Sequence, residues 1–69
     1  MFLSMDNIGR LIEDRRKYLG LTQRQLAGMS GCGLRFIGEV ENGKKTCQIA
    51  KVLDVLKALD IKMKFVITL

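Results

Sequence analysis

Residues 21–45 of this 69-residue chain, LTQRQLAGMSGCGLRFIGEVENGKK, contain the pattern that decides its fold. Two short helical patterns are joined by a turn that carries Gly31, and the second pattern stops at Asn42-Gly43 before two lysines. A helix-turn-helix needs this layout, because its second helix must protrude far enough to lie in the major groove of DNA. The stretch therefore predicts a helix-turn-helix motif and a DNA-binding module.

The first two helices are marked by their ends as well as by their apolar spacing. Ser4 can cap a helix that runs to about Leu19. Thr22 and Gln25 stand in the capping-box relation at the start of the second helix. The apolar residues of these helices that we expect to face the core are Ile8, Leu11, Ile12, Leu19, Leu26 and Ala27.

The third and fourth helices follow the turn. The third is expected from about Leu34 to Glu41, with Gly33 at its cap, and Thr46 is expected to cap a fourth helix that runs through Leu59. The expected inward residues of these helices are Ile37, Val40, Ile49, Val52, Leu53, Leu56 and Leu59.

The spacing of apolar residues changes in the C-terminal tail. Residues 61–69 read IKMKFVITL, which alternates apolar and polar side chains at first and predicts a β-strand. No other convincing strand is present in the sequence, so we expect this one to pair with its copy in a homodimer. A monomer whose tail packs on its own helices is the alternative. The residues expected to form the dimer strand are Ile61, Met63, Phe65 and Ile67.

The predicted fold is therefore all-α with a short C-terminal β-strand that pairs across a homodimer. We expect four to five helices in a helix-turn-helix DNA-binding domain at residues 1–60, followed by a dimerisation strand at residues 61–69. A chain this short buries only about 60% of its unfolded surface, so a second subunit is an economical source of stability.

The composition agrees with a nucleic-acid partner but does not require one. The formal net charge is +5, which suits a polyanion and is also ordinary for solubility. Two cysteines, no histidine and no CxxC spacing predict no disulfide, no metal site and no cofactor. With no Gly-rich phosphate loop and no acid pair of visible geometry, an enzyme is not expected.

The sequence also predicts where the protein is found. No stretch approaches the roughly 20 apolar residues of a membrane span, and the N-terminus MFLSM lacks the features of a signal peptide. We expect a cytoplasmic protein with no membrane contact, in which Cys32 and Cys47 stay reduced. Either cysteine could sense redox state near a helix start, although a packing role is the simpler interpretation.

Leu21 to Lys44 resembles the phage-repressor-like (XRE) helix-turn-helix family in its opening TQ-x-x-LA and its closing E-N-G-K. The resemblance covers about residues 8–59, and with the C-terminal strand the chain looks most like antitoxins of the HipB or Y4mF type. It implies a dimeric repressor that binds an inverted-repeat operator in double-stranded DNA and neutralises a HipA-like kinase toxin. It also implies a structural ion pair between Arg16 and Glu41.

The first residues of the third helix are expected to face base edges in such a fold. Arg35 is the strongest candidate, because a guanidinium reaches both O6 and N7 of a guanine; a phosphate contact is the alternative. Leu34 could contact a thymine methyl or be buried, and Glu39 could accept from a cytosine or form an ion pair. The candidate base-contacting residues are Gly33, Leu34, Arg35, Gly38 and Glu39.

Gly33 and Gly38 depart from the family, which usually has polar residues at both positions. They are explained by close approach of the backbone to DNA, by close helix packing or by neutral drift. Because this chain has fewer base-contacting side chains than usual, DNA shape could carry more of its specificity.

Phosphate contacts are expected at the start of the second helix and in the loop after the third. Gln23 lies where backbone N–H groups already favour an anion. The family resemblance supports phosphate contacts at Gln23 and in the loop that contains Lys44. Lys45 and Arg24 are added because of their positions, and Arg24 could equally be a solvated side chain.

The rival hypothesis is a helix-turn-helix-shaped interaction module that has lost DNA binding.

Overall fold

The computed structural model describes residues 4–68 and contains four α-helices in that range. Their bounds are α1 Met5–Tyr18, α2 Gln23–Ser30, α3 Leu34–Glu41 and α4 Ile49–Ala58. The four predicted helices are confirmed, and the described residues contain no fifth. Helix α1 packs on α3, and α2 packs on both α3 and α4, which makes one small helical domain.

Side-chain caps fix the starts of α1 and α2. Ser4 Oγ accepts from the backbone N–H of Asn7 at 3.2 Å. At α2, Thr22 Oγ1 accepts from the Gln25 N–H at 3.0 Å, and Gln25 Oε1 accepts from the Thr22 N–H at 2.8 Å. The predicted cap and capping box are therefore confirmed. Helix α2 ends at Gly31, whose φ of 73° lies in the left-handed region that glycine adopts without strain.

The start of α4 differs from the expectation. Gln48, and not Thr46, is the N-cap, and its side chain makes no capping hydrogen bond. The reason is that the Gln48 carbonyl oxygen accepts the first intrahelical hydrogen bond, from the N–H of Val52 at 3.1 Å. Thr46 lies in the loop before the helix and is exposed.

The core is formed by one narrow face of each helix. Its fully or nearly fully buried hydrophobic residues are Ile8, Ile12, Leu26, Ala27, Ile37, Val40, Val52, Val55, Leu56 and Leu59. Four expected core residues are instead partly or largely exposed: Leu11 50%, Leu19 42%, Ile49 61% and Leu53 46%. The true stripe of α4 runs through Val52, Val55 and Leu56, which the i, i+3, i+4 spacing allows as readily as the predicted one.

The C-terminal end of α3 is set tightly against the start of α1. A Cβ atom at Gly9 would collide with the backbone carbonyl oxygens of Val40 and Glu41. At Gly43, where φ is +79°, an added Cβ would collide with the Asp6 side chain. These two glycines therefore allow the end of α3 and the turn after it to lie close against α1.

The tail forms no strand within the single chain. Among the described residues, 61–68 carry no regular secondary structure, so the predicted strand and its dimer pairing are not seen here. The physical reason is that a strand needs hydrogen bonds to a neighbouring strand, and residues 4–68 contain no second strand that could supply them. Residues 1–3 of the expected first domain and Leu69 of the expected strand lie outside the described residues.

Candidate nucleic-acid interface

The outer face of α3 is open to solvent while its inner face is anchored in the core. Ile37 and Val40 are 0% exposed, and they hold the helix from below. On the outer face, Leu34 is 40% exposed and the Arg35 side chain is 91% exposed. Among the described residues, the outer face of the first turn of α3 at Leu34 and Arg35 is therefore open to a partner as large as duplex DNA.

Gly33 and Gly38 lie on this face and are not required by packing. A Cβ atom built at either position meets no heavy atom within 4 Å. Close packing against another helix of the same chain therefore does not explain them, and this part of the prediction is wrong. An approach of the α3 backbone to an external partner and neutral drift are the explanations that the geometry leaves.

A carboxylate on α3 holds two of the candidate DNA-binding cations. Glu39 Oε2 lies 2.8 Å from Lys44 Nζ and 3.8 Å from Arg35 Nε. The hydrogen bond from Lys44 lowers the pKa of the Glu39 carboxyl below its ordinary value, so the group is a carboxylate at neutral pH. Of the two roles proposed for Glu39 from the sequence, the free protein shows the ion pair.

A second carboxylate on α3 joins three parts of the chain. Glu41 accepts from Arg16 Nε at 2.7 Å and from Arg16 Nη2 at 3.0 Å, while Arg16 Nη1 donates to the Leu21 carbonyl oxygen at 2.8 Å. The side chains of Arg16 and Glu41 are 10% and 2% exposed. The structural ion pair implied by the family resemblance is therefore present, bidentate and buried.

This network also includes one of the expected phosphate contacts. Gln23 Nε2 donates to Glu41 Oε1 at 3.0 Å, so the amide group of Gln23 is tied to the end of α3. Arg16 carries a raised pKa, because its hydrogen bond with Glu41 favours the charged guanidinium. The network ties the N-terminus of α2 to the C-terminal end of α3. It thereby helps to set the orientation of the two motif helices, whose N-terminal parts a helix-turn-helix presents to DNA.

The other expected phosphate contacts flank α3. Arg24 lies at the exposed start of α2, and Lys44 and Lys45 lie in the exposed loop after α3. The structure adds Lys51, whose Nζ lies 5.7 Å from the centre of the Phe36 ring on α3. Sequence reasoning missed Lys51, because only the packing of α4 beside α3 brings its charge to this face.

A polar groove separates α3 from the start of α4. Its lining residues are Phe36, Glu39, Lys44, Thr46, Cys47, Gln48 and Lys51. On α3 the groove is bounded by Phe36 and Glu39, and it also includes Lys44 and Lys51. With Arg35, three cations and one carboxylate therefore lie on or near α3.

Three further features of the described residues concern metal binding, thiol chemistry and membrane insertion. No group of three or more Cys, Asp or Glu residues in it could hold a metal ion. Cys32 and Cys47 are both free thiols that are partly buried against the core, which agrees with a packing role. Between residues 4 and 68, no helix is long and apolar enough to cross a membrane.

Comparisons with known proteins agree with this geometry. A model of the family described as "Helix-turn-helix" matches residues 12–66, and the chain therefore belongs to the helix-turn-helix family of DNA-binding transcriptional regulators. It is 53% identical over 53 residues to the "Uncharacterized HTH-type transcriptional regulator y4mF" of Sinorhizobium fredii (strain NBRC 101917 / NGR234), covering 77% of this chain and 70% of that protein.

Two solved structures share the fold. A chain of the "Structure of HipA-HipB-O2-O3 complex" superposes with a TM-score of 0.87 and 22% sequence identity, over 99% of this chain and 96% of the other. A chain described as "MDT Protein" superposes with a TM-score of 0.86 and 21% identity, over 96% and 93% of the two chains. At these identities the likeness concerns the fold.

Proposed function

We propose that the protein is a sequence-specific repressor that inserts the first turn of α3 into the major groove of an inverted-repeat operator. The observation that carries the proposal is the exposed outer face of α3 beside the N-terminus of α2, with the inner face of α3 fixed in the core. A helix-turn-helix presents these elements to DNA. The family membership makes DNA the expected partner.

The proposed contacts divide into two classes. Arg35, at the second position of α3, contacts a base edge, and Leu34 lies beside it against an apolar group such as a thymine methyl. Lys44 and Lys45 contact phosphates on one side of α3, together with Lys51. Gln23 and Arg24 place the start of α2 against a phosphate, where the backbone N–H groups and the helix dipole favour an anion.

The test of this proposal is selection of a binding site followed by substitution. A 30-bp duplex is selected from a randomised pool by the wild-type chain, and binding is measured at several salt concentrations. Arg35→Ala should weaken binding to the selected duplex by about 1–3 kcal/mol and relax selection at one position. Arg10→Ala is the matched control, since Arg10 is an exposed arginine on α1 outside the motif.

Equal effects of the two arginine substitutions would show that Arg35 contributes charge only.

A second candidate function, an interaction module without DNA binding, is favoured by the two glycines on the outer face of α3. It predicts that the wild-type chain selects no duplex and shifts none at moderate salt. A repressor instead gives a dissociation constant of roughly 10⁻⁸ to 10⁻¹¹ M on its site.

The proposed dimer rests on the apolar tail, residues 61–69. Ile61 and Met63 pack against the core of their own chain, while Phe65, Val66 and Ile67 are 80%, 76% and 85% exposed. Three consecutive apolar side chains left in water favour a second surface that covers them. We infer that this surface is the tail of a second copy, paired as an antiparallel or parallel strand.

Sedimentation of the full chain tests the dimer. Phe65→Ser combined with Ile67→Ser should convert a dimer into a monomer while leaving Ile61 and Met63 packed. Tyr18→Ser is the matched control, because Tyr18 on α1 is 80% exposed, like Phe65. An unchanged particle mass for the double variant would exclude the tail as the dimer contact.

We further propose that the protein is the antitoxin of a HipBA-like operon, which represses its own promoter and binds a HipA-like kinase toxin. Support comes from the identity to the y4mF regulator and from the fold shared with a chain of the HipA-HipB-O2-O3 complex. The test is co-expression with the adjacent reading frame of the native operon. Co-purification with a kinase-like chain is expected; a neighbouring frame of another kind, or separate elution, would remove the antitoxin assignment.

A further inference from the structure

The charges of two candidate DNA-binding residues are already partly offset by a single carboxylate inside the free protein. Lys44 Nζ and Arg35 Nε both face Glu39 Oε2, at 2.8 Å and 3.8 Å. The Lys44 backbone N–H also donates to the Glu39 carbonyl oxygen at 3.1 Å, so the loop is held beside α3 at two points. The cluster is partly open to solvent, since the side chains of Arg35, Lys44 and Glu39 are 91%, 48% and 30% exposed.

Glu39 is ionised in this arrangement. Lys44 donates a hydrogen bond to the carboxylate and lowers the pKa of Glu39 further below neutrality. The carboxylate oxygen is therefore an alternative to a phosphate oxygen as the partner of Lys44. Both groups are anionic acceptors of short, charge-assisted hydrogen bonds.

We propose that Glu39 determines specificity by offsetting part of the charge of Lys44 and Arg35, which lowers the affinity of the protein for DNA of arbitrary sequence. The inference rests on the proposed DNA-binding function and identifies the residue that limits it. Attraction to phosphates depends on net positive charge, and the pairs with Glu39 reduce that charge. A carboxylate near the backbone also repels phosphates directly.

Recognition of a base is affected less, because it depends on the position of hydrogen-bond donors. Glu39 faces Nε of Arg35, which leaves the two terminal nitrogens of the guanidinium for O6 and N7 of a guanine. The same contact thus weakens sequence-independent binding and leaves the base-contacting end of Arg35 available.

The test compares Glu39→Gln with the wild-type chain on two 30-bp duplexes. One is the duplex selected by the wild-type chain, and the other has the same composition with the selected positions scrambled. Glu39→Gln should raise affinity for the scrambled duplex by about tenfold and steepen its salt dependence by about one unit, as expected for one more phosphate neutralised. Affinity for the selected duplex should rise less, so the ratio of the two affinities falls.

Glu13→Gln is the matched control. Glu13 forms an exposed pair with Lys17 on α1 at 3.6 Å, so this substitution changes the net charge by the same amount and also breaks an ion pair. Equal gains for both variants on the scrambled duplex, or an unchanged affinity ratio for Glu39→Gln, would overturn the proposal while leaving DNA binding intact. If the wild-type chain binds neither duplex, the proposed function itself fails, and this inference fails with it.

Discussion

Glu39 and Glu41 lie two residues apart on α3 and form ion pairs of nearly equal length in opposite surroundings. The Glu41 carboxylate is 2.7 Å from Arg16 and the Glu39 carboxylate is 2.8 Å from Lys44. The Glu41 side chain is 2% exposed, whereas that of Glu39 is 30% exposed and its partner Lys44 is 48% exposed. Judged by distance alone, the two ion pairs would be expected to contribute equally to stability.

Burial makes their roles different. Glu41 has lost its water and depends on Arg16 and Gln23 for every hydrogen bond that replaces it, so the fold depends on that network. The exposed ion pairs of Glu39 can be replaced at little cost in free energy, because water or a phosphate can contact the separated groups. The side of α3 that carries Glu41 is therefore fixed in the fold. The side that carries Glu39 can exchange its ion pairs for contacts with a ligand.

The largest expected effect is that of Arg16→Ala. Removal of the guanidinium leaves the buried Glu41 carboxylate without its charge partner, which costs about 3–5 kcal/mol and is most of the stability of a domain this small. Denaturant unfolding followed by circular dichroism measures the loss. Lys17→Ala, which breaks the exposed pair with Glu13, should cost under about 1 kcal/mol.

A double variant sharpens the interpretation of that loss. Arg16→Met combined with Glu41→Leu removes both charges, so it should be more stable than Arg16→Ala alone, because an unpaired buried charge costs more than a missing pair. If Arg16→Ala unfolds at the same denaturant concentration as the wild-type chain, the burial argument is wrong.

Gly9→Ala should have the next largest effect. The added Cβ would collide with the carbonyl oxygens of Val40 and Glu41, which cannot move without shifting the end of α3. Overpacking of this kind typically costs about 1–3 kcal/mol, measured as a lower melting temperature. Gly28→Ala on α2 is the control, since its Cβ meets nothing within 4 Å and the variant should not be destabilised.

Gly38→Ala should have a smaller effect of the opposite sign. Its Cβ has open space, so better helix propensity should stabilise the free protein by about 0.4–1 kcal/mol. Affinity for the selected duplex is measured in parallel. Weaker binding by the more stable variant would show that the α3 backbone approaches DNA at Gly38, and unchanged binding would favour neutral drift.

Lys45→Ala should have the smallest effect. Lys45 is exposed in the loop after α3, so no change in the free energy of unfolding is expected. Loss of one phosphate contact should flatten the dependence of log affinity on log salt by about one unit on every duplex. A slope equal to that of the wild-type chain would remove Lys45 from the proposed contacts.

Most of the local structure could be predicted from the sequence. The cap at Ser4, the capping box at Thr22 and Gln25 and the stop at Gly31 depend on neighbouring residues only, so short-range rules found them. The start of α4 was predicted incorrectly at Thr46, because a residue with a suitable side chain was present two positions before the actual cap.

The candidate site was predicted only in part. The position of Arg35 on α3 follows from the order of the helices, but its contact with Glu39 needed the rotamers of both side chains. Gln23 was expected to face DNA, and its amide was found to donate to Glu41, 18 residues away. Lys51 was missed, since its approach to Phe36 depends on how α4 packs.

The sequence by itself determined the helices, the turn between α2 and α3 and the family, because these depend on local spacing and on the residues of one continuous segment. The tertiary structure alone decided which side of each helix is buried, why Gly9 must be glycine, and how deeply each ion pair of α3 is buried. Those outcomes depend on contacts between residues far apart in the chain. The resemblance paired Glu41 with Arg16, but only the structure shows that this pair is buried whereas the pair of Glu39 with Lys44 is open to solvent.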